Sequence, residues 1–392
     1  MSLAPAISLL APELSGTTKL AKVVHLTSVH RAFDVRIFHK ECRSLACAGY
    51  QVTIVAPNVE DDFAEGVQIR AVPLPKRRVD RMTRTAWQVY RKAVELDADI
   101  YHFHDPELIS AGLLLRARGK KVIYDVHEDL PKDILSKLYL PLWSRRLFSW
   151  GARQVEGATC GRFSALVTVT PSIAERLQKL NNRTVLVRNY PYPEEMGSSE
   201  LPSWETRGQS IAYVGGINFK RGIIEMVQAM ALLPESLSAT LELAGNDLSG
   251  ADLPKGLDLT SEPGWARVRH RGTISRAEVV RLLAGVRAGL VIFHPFPNHT
   301  EAMPHKMFEY MAAGIPVIAS NFTFWRPIIA ETKCGLLVDP KDPKSIAGAI
   351  EYLLTHPRET EEMGRRGREA VERSYNWRTQ EQELLKLYSS LT

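Results

Sequence analysis

Glu301-Ala-Met-Pro-His-Lys-Met-Phe-Glu309, running straight into Tyr-Met-Ala-Ala-Gly314-Ile-Pro-Val-Ile-Ala-Ser320, decides how this chain folds. The segment reads as a helix that delivers the chain into a buried strand. Pro304 suits a first helical turn, where a missing N–H costs nothing, and Gly314 suits the stop. Glu301 and Glu309 then stand on either side of the helix start, and eight helical residues rise about 12 Å at roughly 1.5 Å each.

That reach is comparable to the distance between the hexose and the ribose of a nucleotide diphosphate sugar. A helix N-terminus between the carboxylates supplies unpaired amides and a positive dipole end, which a pyrophosphate needs. Lys306 sharpens the point. A lysine in a first helical turn sits at the wrong end of the macrodipole, at a cost of about 0.3–1 kcal/mol, and a bound anion reverses that sign. The plain alternative is a lysine snorkelling to solvent between two surface glutamates.

Working outward, the 392 residues are too many for one ordinary core and predict two domains of similar size. Lys22–Leu26, Gln51–Ala56, Ile100–His104, Val122–Val126, Ala165–Thr170 and Thr184–Arg188 read as strands, with helices over Arg36–Ala48, Leu108–Arg116 and Pro171–Leu180. The pattern restarts with strands at Ser210–Val214, Thr240–Ala244, Val268–Arg271, Gly289–Phe293, Pro316–Ala319 and Gly335–Val338. Ser275-Arg-Ala-Glu278 is a capping box that starts a helix. Strand–helix alternation predicts parallel sheets, whose ligands bind beyond the carboxyl ends of the strands. The boundaries expected are a loose tail at 1–19, a first domain at 20–193, a linker at 194–209, a second domain at 210–375 and a last helix at 376–392.

Candidate site residues do follow strands. Gly215-Gly216-Ile-Asn-Phe-Lys220-Arg221-Gly222 pairs glycines that let backbone approach a phosphate with a cation that offsets its charge. Tyr101-His-Phe-His104-Asp105-Pro-Glu107 and Tyr124-Asp-Val-His127-Glu-Asp129 end two strands of the first domain. Their histidines and carboxylates are metal-ligand types. A catalytic zinc, which would make a metal-dependent hydrolase, leaves the two glutamates at 301 and 309 unexplained, so no metal is expected. Asp34 is placed to cap the helix that Arg36 enters, and Asp105 the helix that Pro106 opens. Arg36 and Lys40 share a helix face toward an acidic acceptor or toward solvent.

E-x7-E followed by the AAGIPVIAS strand resembles the donor-site signature of the retaining glycosyltransferases of family 4, over most of the chain from about Lys22. The resemblance implies the GT-B fold: two Rossmann-like parallel-sheet domains facing across a cleft, with the C-terminal helix crossing back to the first. It implies transfer from a nucleotide diphosphate sugar, of hexosyl or N-acetylhexosaminyl type, to a glycan or lipid-linked hydroxyl in cell-surface glycan synthesis. Glu309 then binds the ribose. Glu301, with the backbone of Ala302, Met303 and Pro304, contacts the transferred sugar and distal phosphate. Thr273 and Ile274 lie by the base, and His127 beside the reacting sugar. His104 and Asp105, like the opening loop with Asp34 and Arg36, fall on the acceptor side, and Asn189 falls at the hinge. The chain departs from the family pattern where Gly216 replaces an arginine and Arg221 a lysine; Lys220 or Lys306 can supply the missing cation. A sugar-nucleotide epimerase of the same fold is the alternative.

Net charge is +6 with a pI near 9.0. The excess is local: Lys76, Arg77, Arg78, Arg81, Arg84, Arg91 and Lys92 gather in one stretch, and Leu138–Arg153 interleaves arginines with Tyr139, Trp143, Phe148 and Trp150. That second stretch fits an interfacial face against anionic lipid, or equally a charged helix packing its aromatics on the core. No recognition motif for nucleic acid accompanies the charge. Four cysteines without metal or redox spacing, no secretory start and no long apolar run imply a cytoplasmic protein, with peripheral attachment at the inner face of the plasma membrane as the further expectation.

Overall fold

A computed structural model describes residues 21–137, 139–197, 203–246, 248 and 253–392. The expected tail at 1–19 lies outside the described residues, as do 198–202 of the expected linker. The first sheet has eight strands: β1 (Lys22–Leu26), β2 (Gln51–Pro57), β3 (Asp62–Ala64), β4 (Val67–Val72), β5 (Ile100–Phe103), β6 (Lys121–Val126), β7 (Ala165–Thr168) and β8 (Thr184–Leu186). Their order is β3-β4-β2-β1-β5-β6-β7-β8, parallel throughout except for β3. The second sheet holds β9 (Ser210–Val214), β10 (Thr240–Ala244), β11 (Val268–Gly272), β12 (Ala288–Val291), β13 (Val317–Ser320) and β14 (Gly335–Val338), all parallel, in the order β11-β10-β9-β12-β13-β14.

Central strands such as β5 and β12 are buried on both faces. That is why they read as continuous apolar runs rather than alternating ones. The β3–β4 hairpin at the sheet edge escapes sequence reading. β4 alternates buried and exposed positions and sits beside the acidic run Glu60-Asp61-Asp62, so its apolar signal is diluted.

The last helix, Trp377–Ser389, leaves the second domain and packs on the first sheet. Trp377, Leu384, Leu387 and Tyr388 join one apolar cluster with Ile37, Ile54 and Ile100. The Trp377 indole donates to Ser44 Oγ at 2.9 Å. The two facing Rossmann-like domains and the returning helix are the architecture that the strand pattern and the family resemblance lead one to expect.

In the deciding segment the helix spans His305–Ala312, one residue later than expected, with Pro304 at its N-cap. Gly314 ends it at φ +67°, with Ile315 N–H bonded to Tyr310 O and Gly314 N–H to Met311 O. This is a Schellman stop. Tyr310 holds the helix to the sheet, because its hydroxyl accepts from Val214 N at 2.9 Å and its ring lies over Gly289. A Cβ at Gly289 would meet that ring at 2.2 Å. Gly289→Ala is expected to destabilise the fold by about 1–3 kcal/mol through overpacking. Gly151→Ala, at an open helical position, should be neutral or stabilising. Urea unfolding of both variants checks the contrast.

Candidate functional site

A cavity of about 490 Å³ lies between the domains, bounded on one side by His127, Glu128 and Lys132 and on the other by Gly215, Arg221, Lys306 and Glu309. Its far wall is the loop Pro297–Pro304, held by a hydrogen bond from the fully buried Trp325 indole to Ala302 O at 2.8 Å. Glu301, Ala302, Met303 and Pro304 therefore reach the cavity from a loop, while Lys306 and Glu309 reach it from the helix.

Lys306 does not snorkel. It is buried, its ammonium sits 3.7 Å from the centre of the Tyr213 ring, and it makes no hydrogen bond. A Cβ on Gly215 would lie 2.8 Å from Lys306 Nζ, and one on Gly216 would lie 3.1 Å from Arg221 Nη1. The paired glycines thus make room for two converging cations. Burial, with the Arg221 guanidinium adding to it, holds the Lys306 ammonium well below the ordinary lysine value. An anion in the cavity offsets both effects.

The two carboxylates are already engaged. Glu309 is buried, pairs with Arg276 and accepts from His305 Nδ1 at 3.0 Å. Burial pushes its carboxyl up, but His305 and Arg276 outweigh burial and hold it below the usual carboxylate range. His305 Nε2 in turn meets Lys40 Nζ of the first domain at 2.9 Å. Glu301 is half-exposed and bonds Lys132 Nζ across the cleft at 2.6 Å. Two more contacts close the cleft: Lys220 Nζ to Ser136 O at 2.9 Å and Ser136 Oγ to Asn298 Oδ1 at 2.8 Å. Thr273 and Ile274 line a smaller adjoining cavity of about 360 Å³ with Gly215 and Gly216.

His127 borders this cavity and also a second one of about 780 Å³ in the first domain, shared with His104, Asp105, Leu130, Ile134, Leu140 and Phe148. His127 Nε2 lies 3.1 Å from Asp125 Oδ2 and 3.1 Å from His104 Nδ1. Burial pushes the His104 imidazole down to about 4. Asp105 stands at the N-cap of the turn Pro106–Leu108, yet its side chain does not cap it. It accepts instead from Thr27 Oγ1 at 2.7 Å and Ser28 N at 2.6 Å, fixing the loop after β1.

Two acceptor-side expectations need correction. Arg36 is buried and clamps Asp125 through Nε and Nη2 at 3.1 and 3.0 Å, with Nη1 on Val187 O, so it presents nothing to an acceptor. Lys40, expected on the same open face, is also buried and bonds Asn189 Oδ1 at 2.7 Å. Burial brings its ammonium down to about 7. Asp34 does cap its helix, accepting from Arg36 N at 2.8 Å and Ile37 N at 3.0 Å.

Sequence reasoning passed over Lys132, Arg276 and His305. Arg276, like Lys306, lies in a first helical turn, where the dipole disfavours a cation, whereas Lys132 sits midway along the six-residue helix Leu130–Leu135. The signal read at Lys306 was present at Arg276 and absent at Lys132.

His299, on the cavity wall, is pushed down to about 4 by burial, with Arg221 and Lys220 adding to it. Unfolded, the ring takes up its proton near an ordinary value of about 6.5. The folded chain therefore loses stability as pH falls from about 6.5 toward 4. Calorimetry should find a shallower decline in Tm over that window for His299→Asn than for the parent.

Residues 35–189 match the family model described as Glycosyltransferase Family 4, and residues 202–370 that of Glycosyl transferases group 1. Phosphatidyl-myo-inositol mannosyltransferase of Mycobacterium leprae is 23% identical over 356 residues, covering 88% of this chain and 89% of its own. Sucrose-phosphate synthase of Thermosynechococcus elongatus superposes with a TM-score of 0.75 at 18% identity, over 95% of this chain and 99% of its own. HepE of Anabaena, solved with UDP and glucose, gives 0.69 at 15% identity, over 94% and 100%. At such identities the two structures speak for the fold, and the family models speak for each half of the sequence. The chain belongs to the family 4 glycosyltransferases of GT-B fold.

Proposed function

We propose that this glycosyltransferase moves a hexosyl or N-acetylhexosaminyl group from a nucleotide diphosphate sugar to a hydroxyl of a lipid-linked or polysaccharide acceptor, with retention at the anomeric carbon. One observation carries the donor reading: the unpaired, buried ammonium of Lys306 beside Arg221, facing Gly215 and Gly216. A site that buries one cation beside a second, partly exposed one is built for a multiply charged anion. HepE, with UDP and glucose bound, and the mannosyltransferase relative support a nucleotide-activated sugar.

Glycosyl transfer puts positive charge on the anomeric carbon and negative charge on the departing phosphate. Arg221, Lys306 and the first-turn amides of His305–Ala312 stabilise the phosphate without a divalent metal. His127, between the two cavities and backed by Asp125, positions the sugar and takes the acceptor proton. Glu301 orients the transferred sugar once the donor displaces Lys132. No enzymic nucleophile is assigned, because the acceptor can attack from the leaving-group face. The second cavity favours transfer over epimerisation, which needs no acceptor.

The acceptor assignment rests on that cavity's surroundings. Phe148 and Tyr139 line it, and the helix Leu142–Thr159 carries Trp143, Leu147 and Trp150 outward, with Trp143 71% and Trp150 62% exposed. Packing of these aromatics on the core, the alternative reading of the sequence, is therefore not what the structure adopts. Trp143, Leu147 and Trp150 form one helical stripe, with Arg146 and Arg153 next to it. Among the described residues no helix is long and apolar enough to cross a membrane. A basic, aromatic rim around an apolar cavity suits an acceptor carried in an anionic leaflet, with the protein attached at the cytoplasmic surface of the plasma membrane.

Glu309→Ala should abolish measurable donor binding in calorimetry while the fold persists; parental affinity would refute the ribose assignment. Turnover should survive brief EDTA treatment. The double variant Trp143→Ala, Trp150→Ala should lose sedimentation with phosphatidylglycerol vesicles by about tenfold or more, and unchanged sedimentation would remove the membrane reading.

A further inference from the structure

Below the strand ends of the first domain lies a cluster that the transfer reaction does not use. His25 of β1, His102 of β5, His104 just beyond it and Glu41 of the helical segment Ile37–Cys42 are all buried, with His25, His102 and Glu41 fully so. We propose that these four side chains form a structural binding site for a divalent transition-metal ion, zinc in the first place.

Three of the donor atoms are spaced as ligands of one ion. His25 Nδ1 and His104 Nε2 are 2.9 Å apart, and each lies 3.9 Å from Glu41 Oε2. A point equidistant from the three atoms falls about 2.1 Å from each, the length of zinc–nitrogen and zinc–oxygen bonds. His102 brings a fourth donor, in a set whose ligand atoms all lie within 4.8 Å of one another. Three imidazoles and one carboxylate are a donor set that zinc takes.

The atoms that face away from this point are already held. Tyr388, from the C-terminal helix, places its hydroxyl 3.2 Å from His25 Nε2 and 2.8 Å from His102 Nδ1. His104 Nδ1 lies 3.4 Å from Asp125 Oδ2, and Arg36 Nε lies 3.0 Å from Glu41 Oε1 as an ion pair. Such an outer shell selects which nitrogen turns inward. What it leaves over is unusual for a core: His102 Nε2 and Glu41 Oε2 have no hydrogen-bond partner. Two buried carboxylates, Asp125 and Glu41, also face one guanidinium, Arg36. The remaining negative charge is met by a proton or by a cation, and converging donor atoms at metal-ligand spacing favour the cation. The ion would tie β1, β5 and the segment Ile37–Cys42 together, with the C-terminal helix joined through Tyr388. It touches the cleft only through His104 and makes no contact with a reacting atom, so the inference stands apart from the transfer mechanism.

Metal content is the readout, because a buried ion resists brief chelation and turnover would not report it. The full chain, expressed without a histidine tag in zinc-supplemented medium and gel-filtered, is expected to hold about one zinc per molecule by plasma mass spectrometry. Growth in cobalt should give the intense visible bands of four-coordinate cobalt. Glu41→Gln and His25→Gln should fall below a tenth of an equivalent. In case either fails to fold, Tyr388→Phe keeps all four ligands and should lose zinc to a competing chelator at 10- to 100-fold lower chelator concentration. A folded parent with less than a tenth of an equivalent of either metal would overturn the site. So would variants that fold and keep their zinc, which would place the ion elsewhere.

Discussion

Removing Lys306 from water without giving it a counter-ion is the constraint around which the second domain is arranged. Its ammonium rests on the Tyr213 ring, next to Arg221 and against a glycine pair that leaves it space. A cation–π contact returns on the order of 2 kcal/mol when desolvated, well short of the several kcal/mol that desolvating an ammonium costs. The shortfall is carried by the surrounding fold: the Gly289–Tyr310 contact, the Schellman stop at Gly314 and the Trp325 anchor under the 297–304 loop. On the proposed reading, function here is stored as an unfavourable local term that a diphosphate would relieve.

The cleft is drawn shut by side chains from both lobes. Lys132 crosses to Glu301, Lys220 to the Ser136 carbonyl, Ser136 to Asn298 and Lys40 to His305. Most of these contacts are polar and several are partly exposed, so each is weak enough to exchange for ligand or water. The first domain thus contributes to the interdomain cavity chiefly by capping it, while the second builds its floor.

Strand–helix alternation and the segment around Glu301–Ser320 made both sheets and the residues that meet at the interdomain cavity legible from sequence, because buried parallel strands and helix stops leave strong local signatures. Long-range partnerships left none. Arg36 reads as a helical residue facing an acceptor or solvent and is instead locked under Asp125, a contact across 89 positions. Lys40 reaches His305 across 265 positions. The β3–β4 edge was lost to its diluted pattern. Arg276 was readable in principle, since it is a cation at the wrong end of a helix, as Lys306 is. The aromatic faces of Leu142–Thr159 could not be assigned inward or outward by periodicity alone, because a stripe at helical spacing has the same form in either case.

The bond between Lys40 and His305 has one further consequence. His305 holds Glu309 with one nitrogen and the opposite lobe with the other. On the proposed donor reading, a nucleotide that claimed Glu309 through its ribose would compete for the same imidazole and so for the contact with the opposite lobe. Filling and gaping would then be a single coupled coordinate, with one histidine ring as its fulcrum.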